Sequence, residues 1–205
     1  MQESKEKRKL PREFYTRHDI LVIARELLGK LLVVPAADGS RVSGFIVETE
    51  AYIAPEDKAS HAYNFRRTQR NESSYSIGGA VYVFFIYGMY FQFNVVTNVI
   101  DVPHVVLIRA LEPFEGVEIM RERRKTANDK NLTSGPGKLC IALGIDRNLN
   151  NEDLLGEKIW IEESDFKVSG KNVMSGKRIG IDYAEEFAEK PWRFWVKDNL
   201  FVSRR

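Results

Sequence analysis

Two glutamates and a tyrosine stand two residues apart at the end of an apolar run, Phe45-Ile-Val-Glu-Thr-Glu-Ala-Tyr52. Side chains of an extended chain alternate faces, so Glu48, Glu50 and Tyr52 share one side while Val47 and Thr49 point the other way. Two acids and a ring then project together from one strand end. A carboxylate at the edge of an apolar sheet is partly desolvated, the setting in which a general base works. A second chemical signal is Arg109, a lone charge in the apolar stretch from His104 to Leu111. Such a charge is costly unless it is paired or faces a cleft, and Glu50 is an available partner.

Further along the chain, Arg66-Arg67-Thr-Gln-Arg70-Asn71 carries side chains suited to phosphate oxygens. The competing reading is a solvated basic loop. Ser134-Gly-Pro-Gly-Lys138 has the composition of a helix start whose free amides and lysine can meet an anion, although it lacks full P-loop spacing. Arg121, Arg123, Arg124 and Lys125 read better as a solvated face and a helix end than as a nucleic-acid patch. The three histidines, His18, His61 and His104, lack metal-ligand spacing.

These residues need elements to position them. From Asp19, a candidate N-cap, apolar residues recur at helical spacing through Leu28, with Gly29 as the stop. Leu31 to Pro35 and Arg41 to Glu50 read as a hairpin around Asp38-Gly39. Residues 54 to 79 show little periodic hydrophobicity and read as a long functional or disordered loop. The aromatic stretch that follows reads as strands 80 to 86 and 90 to 97, joined at Tyr87-Gly88-Met89. Aromatic strand bodies belong in a core, but Tyr87 and Met89 at the tip must fold back or enter a partner. A strand is expected over His104 to Leu111 and a helix over Phe114 to Lys125. Further strands are expected at Ile159 to Ile161, Arg178 to Ile181 and Trp192 to Val196, with a helical turn over Ala184 to Glu189. The resulting class is α+β, one domain on a curved, largely antiparallel β-sheet with surrounding helices and a protruding β-hairpin.

The 205-residue chain is 43% hydrophobic and 29% charged, ordinary for a globular protein with a substantial core. Its formal charge of +2 demands no polyanionic partner by itself. The single cysteine, Cys140, cannot form an intramolecular disulfide, which fits a reducing compartment. Residues 1–12 read as a flexible charged arm without a secretory signal, and residues 13–205 as the domain. No apolar run approaches the roughly 20 residues of a membrane helix. A cytoplasmic monomer, or a nuclear one in a eukaryotic source, with no membrane partner is the expectation.

Taken together, Leu10-Pro-Arg-Glu-Phe-Tyr15, Val47-Glu-Thr-Glu-Ala-Tyr52 with Pro55-Glu-Asp57 and His61, and Ile86-Tyr-Gly-Met-Tyr-Phe91 with Asn94 form an ordered set. It continues through Leu107-Ile-Arg-Ala-Leu-Glu-Pro113, Ser134 to Cys140 and Lys190-Pro-Trp-Arg-Phe194. In this order the blocks resemble the alkyladenine type of 3-methyladenine DNA glycosylase over nearly the whole chain. The resemblance implies a monofunctional enzyme that flips and hydrolytically excises alkylated or deaminated purines from damaged double-stranded DNA, without cofactor or metal. It puts the general base on Glu50, with Arg109 near the catalytic water and the DNA backbone, and leaves Glu48 a structural acid. Tyr52, His61, Phe84 and Asn94 would form the purine pocket, Phe84 standing where a tyrosine can occur. Tyr87 and Met89 would enter the duplex, while Arg66, Arg67, Arg70 and Lys138 would be candidates for its backbone. Two other readings compete: a two-carboxylate or metal hydrolase using Glu48 and Glu50, and a non-catalytic nucleic-acid-binding module.

Overall fold

Alternation and turn chemistry account for most of the elements found. A computed structural model describes residues Lys9 to Arg204. Helices α1 (Arg12–Tyr15) and α2 (Ile20–Glu26) precede the hairpin of β1 (Leu31–Pro35) and β2 (Arg41–Tyr52). Asp19 caps α2 as expected, its carboxylate accepting from the amides of Leu21 and Val22. Next come β3 (Val81–Ile86), β4 (Tyr90–Thr97) and β5 (His104–Glu115), then α3 (Val117–Arg124) and α4 (Pro136–Leu143). Strands β6 (Trp160–Glu162), β7 (Val173–Gly176) and β8 (Arg193–Val196) complete one eight-stranded antiparallel sheet. The fold is therefore α+β, a single domain.

Strand β2 is the centre of this sheet. One edge pairs with β5 along its length. The other pairs with β1 over its first half and with β8 over Glu48 to Glu50. A bulge falls between Ile46 and Thr49, where the β5 register shifts. Beyond it the alternation holds, because Thr49 turns its hydroxyl to the carbonyl of Ala24 in α2 while Glu48 and Glu50 face away. The apolar side of the sheet packs against α2 and α4, whose Ile23, Ala24, Leu139 and Leu143 are fully buried. The other side is left for polar chemistry.

Three expectations are corrected. The expected flexible arm reaches residue 12, and Met1 to Arg8 lie outside the described residues; Lys9, however, bridges to Glu162, and Leu10 is buried. The helix expected from Phe114 begins at Val117, because β5 continues to Glu115 to pair with Ser43 and the left-handed Gly116 makes the turn. A side chain at Gly116 would meet the Arg41 carbonyl at 2.8 Å. Arg178 to Ile181 is no strand, since β7 takes that place beside β8 and Gly180 breaks the extension with φ +77°. Residues 54 to 79, read as a functional or disordered loop, follow a defined course with short helical turns at Tyr63–Phe65 and Glu72–Tyr75. Asn71 organises them, its amide donating to the carbonyls of His61 and Arg66 and its oxygen accepting from the Thr68 amide and hydroxyl.

Candidate active site

The alternation of β2 brings both glutamates under one guanidinium. Arg109 reaches across from β5, donating from Nε to Glu48 at 3.1 Å and from Nη1 to Glu50 at 3.3 Å. Arg193 of β8 adds a second cation, 2.9 Å from Glu48 Oε1. Two carboxylates and two guanidiniums, all under 9% exposed, therefore form a charge-balanced buried group. A buried charge survives only with such pairing and with its remaining donors and acceptors satisfied.

The two acids differ in what surrounds them. Ser203 gives Glu48 its amide at 2.7 Å and its hydroxyl at 3.0 Å, so with the two arginines four donors hold this carboxylate. Glu48 is locked in place. Glu50 accepts from the Ile179 amide at 2.8 Å on one oxygen and from the Tyr52 hydroxyl at 2.8 Å and Arg109 on the other. Burial, and next the charge of Glu50, raise the Tyr52 phenol well above its ordinary pKa, so it stays protonated and donates. The two acids are therefore not an equivalent pair: Glu48 is held by four donors, and only Glu50 is bonded to Tyr52 and Ile179. Among the described residues no three His, Cys, Asp or Glu side chains converge to hold a metal.

Tyr52, Arg109 and Ile179, the partners of Glu50, line a cavity of about 170 Å³. One water needs roughly 10–15 Å³ on the same measure, so the space suits a ring system rather than a single solvent molecule. Glu50 itself is fully buried directly behind this lining. His61, Tyr82, Asn94 and Tyr183 form further wall, and Tyr87 reaches the mouth from the β3–β4 tip. Asn94 is oriented by donating to the carbonyls of Tyr82 and Gln92. His61 Nδ1 lies 2.8 Å from the Tyr82 hydroxyl. Desolvation, with the Arg70 and Arg66 charges acting in the same direction, pushes the imidazole down to about 4, although part of the ring remains open to solvent.

That shift has a signed consequence. The unfolded chain takes up a proton near pH 6.5 that the folded His61 refuses, so stability from this group is complete above pH 6.5 and lost as pH falls through 4. In an NMR titration the His61 ring is expected to titrate well below 6.5. A midpoint at or above 6.5 would contradict the desolvated, neutral imidazole.

At the tip of the β3–β4 hairpin, Tyr87 and Gly88 both take positive φ, 51° and 69°, and the Met89 amide closes the turn on the Ile86 carbonyl. The geometry is that of a two-residue primed turn. It leaves Tyr87 83% and Met89 63% exposed, the unpartnered apolar tip that the sequence pattern implies.

Several expected roles change. Phe84 does not line the cavity; its ring stacks on His61 with centroids 3.8 Å apart, so the imidazole stands between Phe84 and the space. Arg67, exposed like Arg66 and Arg70, is paired with Glu72 and Asp101 at 2.6 and 2.7 Å, while among the described residues no ion pair engages Arg66 or Arg70. Lys138 turns to the Asn131 side chain rather than outward. Each guanidinium nitrogen of Arg109 has a partner within the protein, the third being Ser203 at 3.4 Å, and the side chain also lines the cavity. In the 121–125 cluster, Arg121 pairs with Glu118 and Asp129 while Arg123 and Arg124 cap neighbouring carbonyls. Tyr82, Ile179, Tyr183, Arg193 and Ser203 were not singled out by sequence. Arg193 had the signal that found Arg109, a charge inside an apolar strand; Ser203 had none.

Comparison with known proteins matches residues 13–200 to the family model for methylpurine-DNA glycosylase. A protein of Desulfitobacterium hafniense (strain Y51), assigned as a 3-methyladenine DNA glycosylase, is 51% identical over 205 residues, covering 96% of this chain and 98% of its own. One of Clostridium acetobutylicum with the same assignment is 51% identical over 203 residues, 95% and 97% of the two chains. A third, from Bacillus mycoides (strain KBAB4), is 48% identical over 203 residues, 95% of this chain and 98% of its own.

Proposed function

This chain belongs to the methylpurine-DNA glycosylase family, hydrolases of N-glycosyl bonds in damaged DNA, and from that premise we propose how its cavity works. A purine inside a duplex cannot be attacked at its sugar carbon, so the nucleotide must leave the stack, at a few kcal/mol that falls for a damaged or mispaired base. Tyr87 enters the vacated space, with Met89 beside it, and offsets part of the lost stacking. The extruded base stacks on Tyr52 and meets His61 and Asn94. Phe84 acts from behind, by holding the His61 ring.

Glu50 then activates water against the sugar carbon and faces the positive charge that develops there as the bond breaks. The observation that carries this reading is the pairing of Glu50 with Tyr52, Arg109 and Ile179, three residues that all line the cavity. The base and the pocket share one wall. Arg109 holds the carboxylate in place. No lysine is among the described residues that line the cavity, which supports water rather than an amine as nucleophile and hence no lyase step. Arg66 and Arg70 supply phosphate contacts on the rim. The substrates on this reading are 3-methyladenine, 7-methylguanine, hypoxanthine and ethenoadenine.

Single-turnover excision from duplexes carrying one such lesion each tests the reading, with an undamaged duplex alongside. Release of the lesion base and no covalent trapping by borohydride are expected. Equal release from the undamaged duplex would overturn it. Tyr87→Ala is expected to lower the flipped population reported by a fluorescent base analogue; unchanged fluorescence would remove Tyr87 from the wedge.

A further inference from the structure

Behind the pocket lies a cation with no role in the site so far. Arg178 and Asp57 form a buried pair, both side chains fully enclosed, with Nη2 donating to Asp57 Oδ1 at 2.8 Å and Nη1 to Oδ2. The same nitrogens donate to the carbonyls of Ala51 at 3.0 Å and Phe187 at 3.1 Å. Arg178 Nε is buried with no hydrogen-bond partner. A donor left unsatisfied at this depth is a cost that hydrogen bonding would not choose. Ring contacts explain the position: the guanidinium carbon is 4.6 Å from the Tyr52 ring centroid and 5.1 Å from that of Trp192.

Tyr52 lines the cavity and Arg178 does not, so the guanidinium lies on the side of the ring away from the base. An aromatic face attracts cations through its quadrupole. With a cation already behind it, that π density is drawn away from the cavity, and the two positive charges repel through the ring. An aromatic wall by itself favours cationic purines. With Arg178 in place it is a different wall.

We propose that Arg178 is a specificity-determining residue, which biases the Tyr52 stacking surface against positively charged purines and toward neutral ones. The proposal rests on the reading of Tyr52 as the base-stacking wall. Asp57 balances the charge of Arg178 for burial and directs its fork, while the guanidinium is the part that meets the ring. Arg178 acts through Tyr52 and touches no substrate.

The test compares one cationic lesion, 7-methylguanine, with one neutral lesion, hypoxanthine, each in the same duplex context. The readout is the enzyme concentration giving half-maximal single-turnover excision. Arg178→Met with Asp57→Asn removes both charges together, so no carboxylate is stranded; Arg178→Gln with Asp57→Asn is the second neutral pair should the first not fold. The neutral pair is expected to shift the ratio of the two values by about 3- to 10-fold in favour of 7-methylguanine, the scale of a cation–π contact. Arg178→Lys, which keeps the charge, is expected to hold the parent ratio. Loosening of Tyr52 alone would weaken both lesions equally, and an unmoved ratio overturns the proposal. Tyr52→Leu separates the two levels: if it weakens both lesions while the Arg178 variants leave the ratio alone, the wall stands and its tuning fails. If Tyr52→Leu changes neither lesion, the wall reading itself falls, and the proposal with it.

Discussion

Glu50→Gln is expected to bind lesion-bearing duplex and to lose about 10²–10⁴-fold in single-turnover excision, the scale of a general base. The substitution keeps the shape and removes the charge. One carboxylate oxygen accepts from the Ile179 amide and the other from Tyr52 and Arg109, so an amide presents its NH₂ to a donor whichever way it turns. Loss of the anion also unbalances the buried group, leaving two guanidiniums over Glu48 alone. Binding is measured separately for that reason, to keep a folding defect from passing as a catalytic one. Equal excision rates for variant and parent would remove Glu50 from the mechanism.

Arg109→Met unbalances the same group in the opposite sense and is expected to cost about 3–5 kcal/mol of folding stability, the range for stranding a buried charge. Glu48 keeps Arg193 and Ser203, but Glu50 keeps only the Ile179 amide and the Tyr52 hydroxyl, and one guanidinium is left for two carboxylates. Adding Glu48→Gln to Arg109→Met restores the charge count and should recover part of the loss. Urea unfolding of the parent, single and double variants reads this directly. A loss under about 1 kcal/mol for Arg109→Met would show that the group is not an electrostatic unit.

How much of this was legible varied with how local the cause was. Leu31–Pro35 and the β3–β4 hairpin appear where alternation and turn residues put them. Alternation in β3 places Tyr82, Phe84 and Ile86 on one side, yet only Tyr82 and Ile86 reach the cavity, because the His61 ring covers Phe84. Arg66, Arg67 and Arg70 read alike as text. Glu72 and Asp101 distinguish Arg67 by pairing with it, and Asp101 belongs to a loop 34 residues away.

The sequence by itself determined the antiparallel α+β class, the shared face of Glu48, Glu50 and Tyr52, the exposed aromatic tip at Tyr87, and the family. Those follow from the two-residue period of a strand, from turn geometry and from ordered motifs, all of which act over a few residues. The family resemblance puts the base on Glu50, but the donors that set the two glutamates apart come only with the tertiary fold, four on Glu48 and three from the cavity lining on Glu50. Ser203 reaches Glu48 across 155 positions and Ile179 reaches Glu50 across 129, and no local pattern encodes a donor that far away. The tertiary fold also decided that the Tyr52 wall has a guanidinium behind it, because burial obliges Arg178 to find Asp57 and an aromatic face wherever packing supplies them.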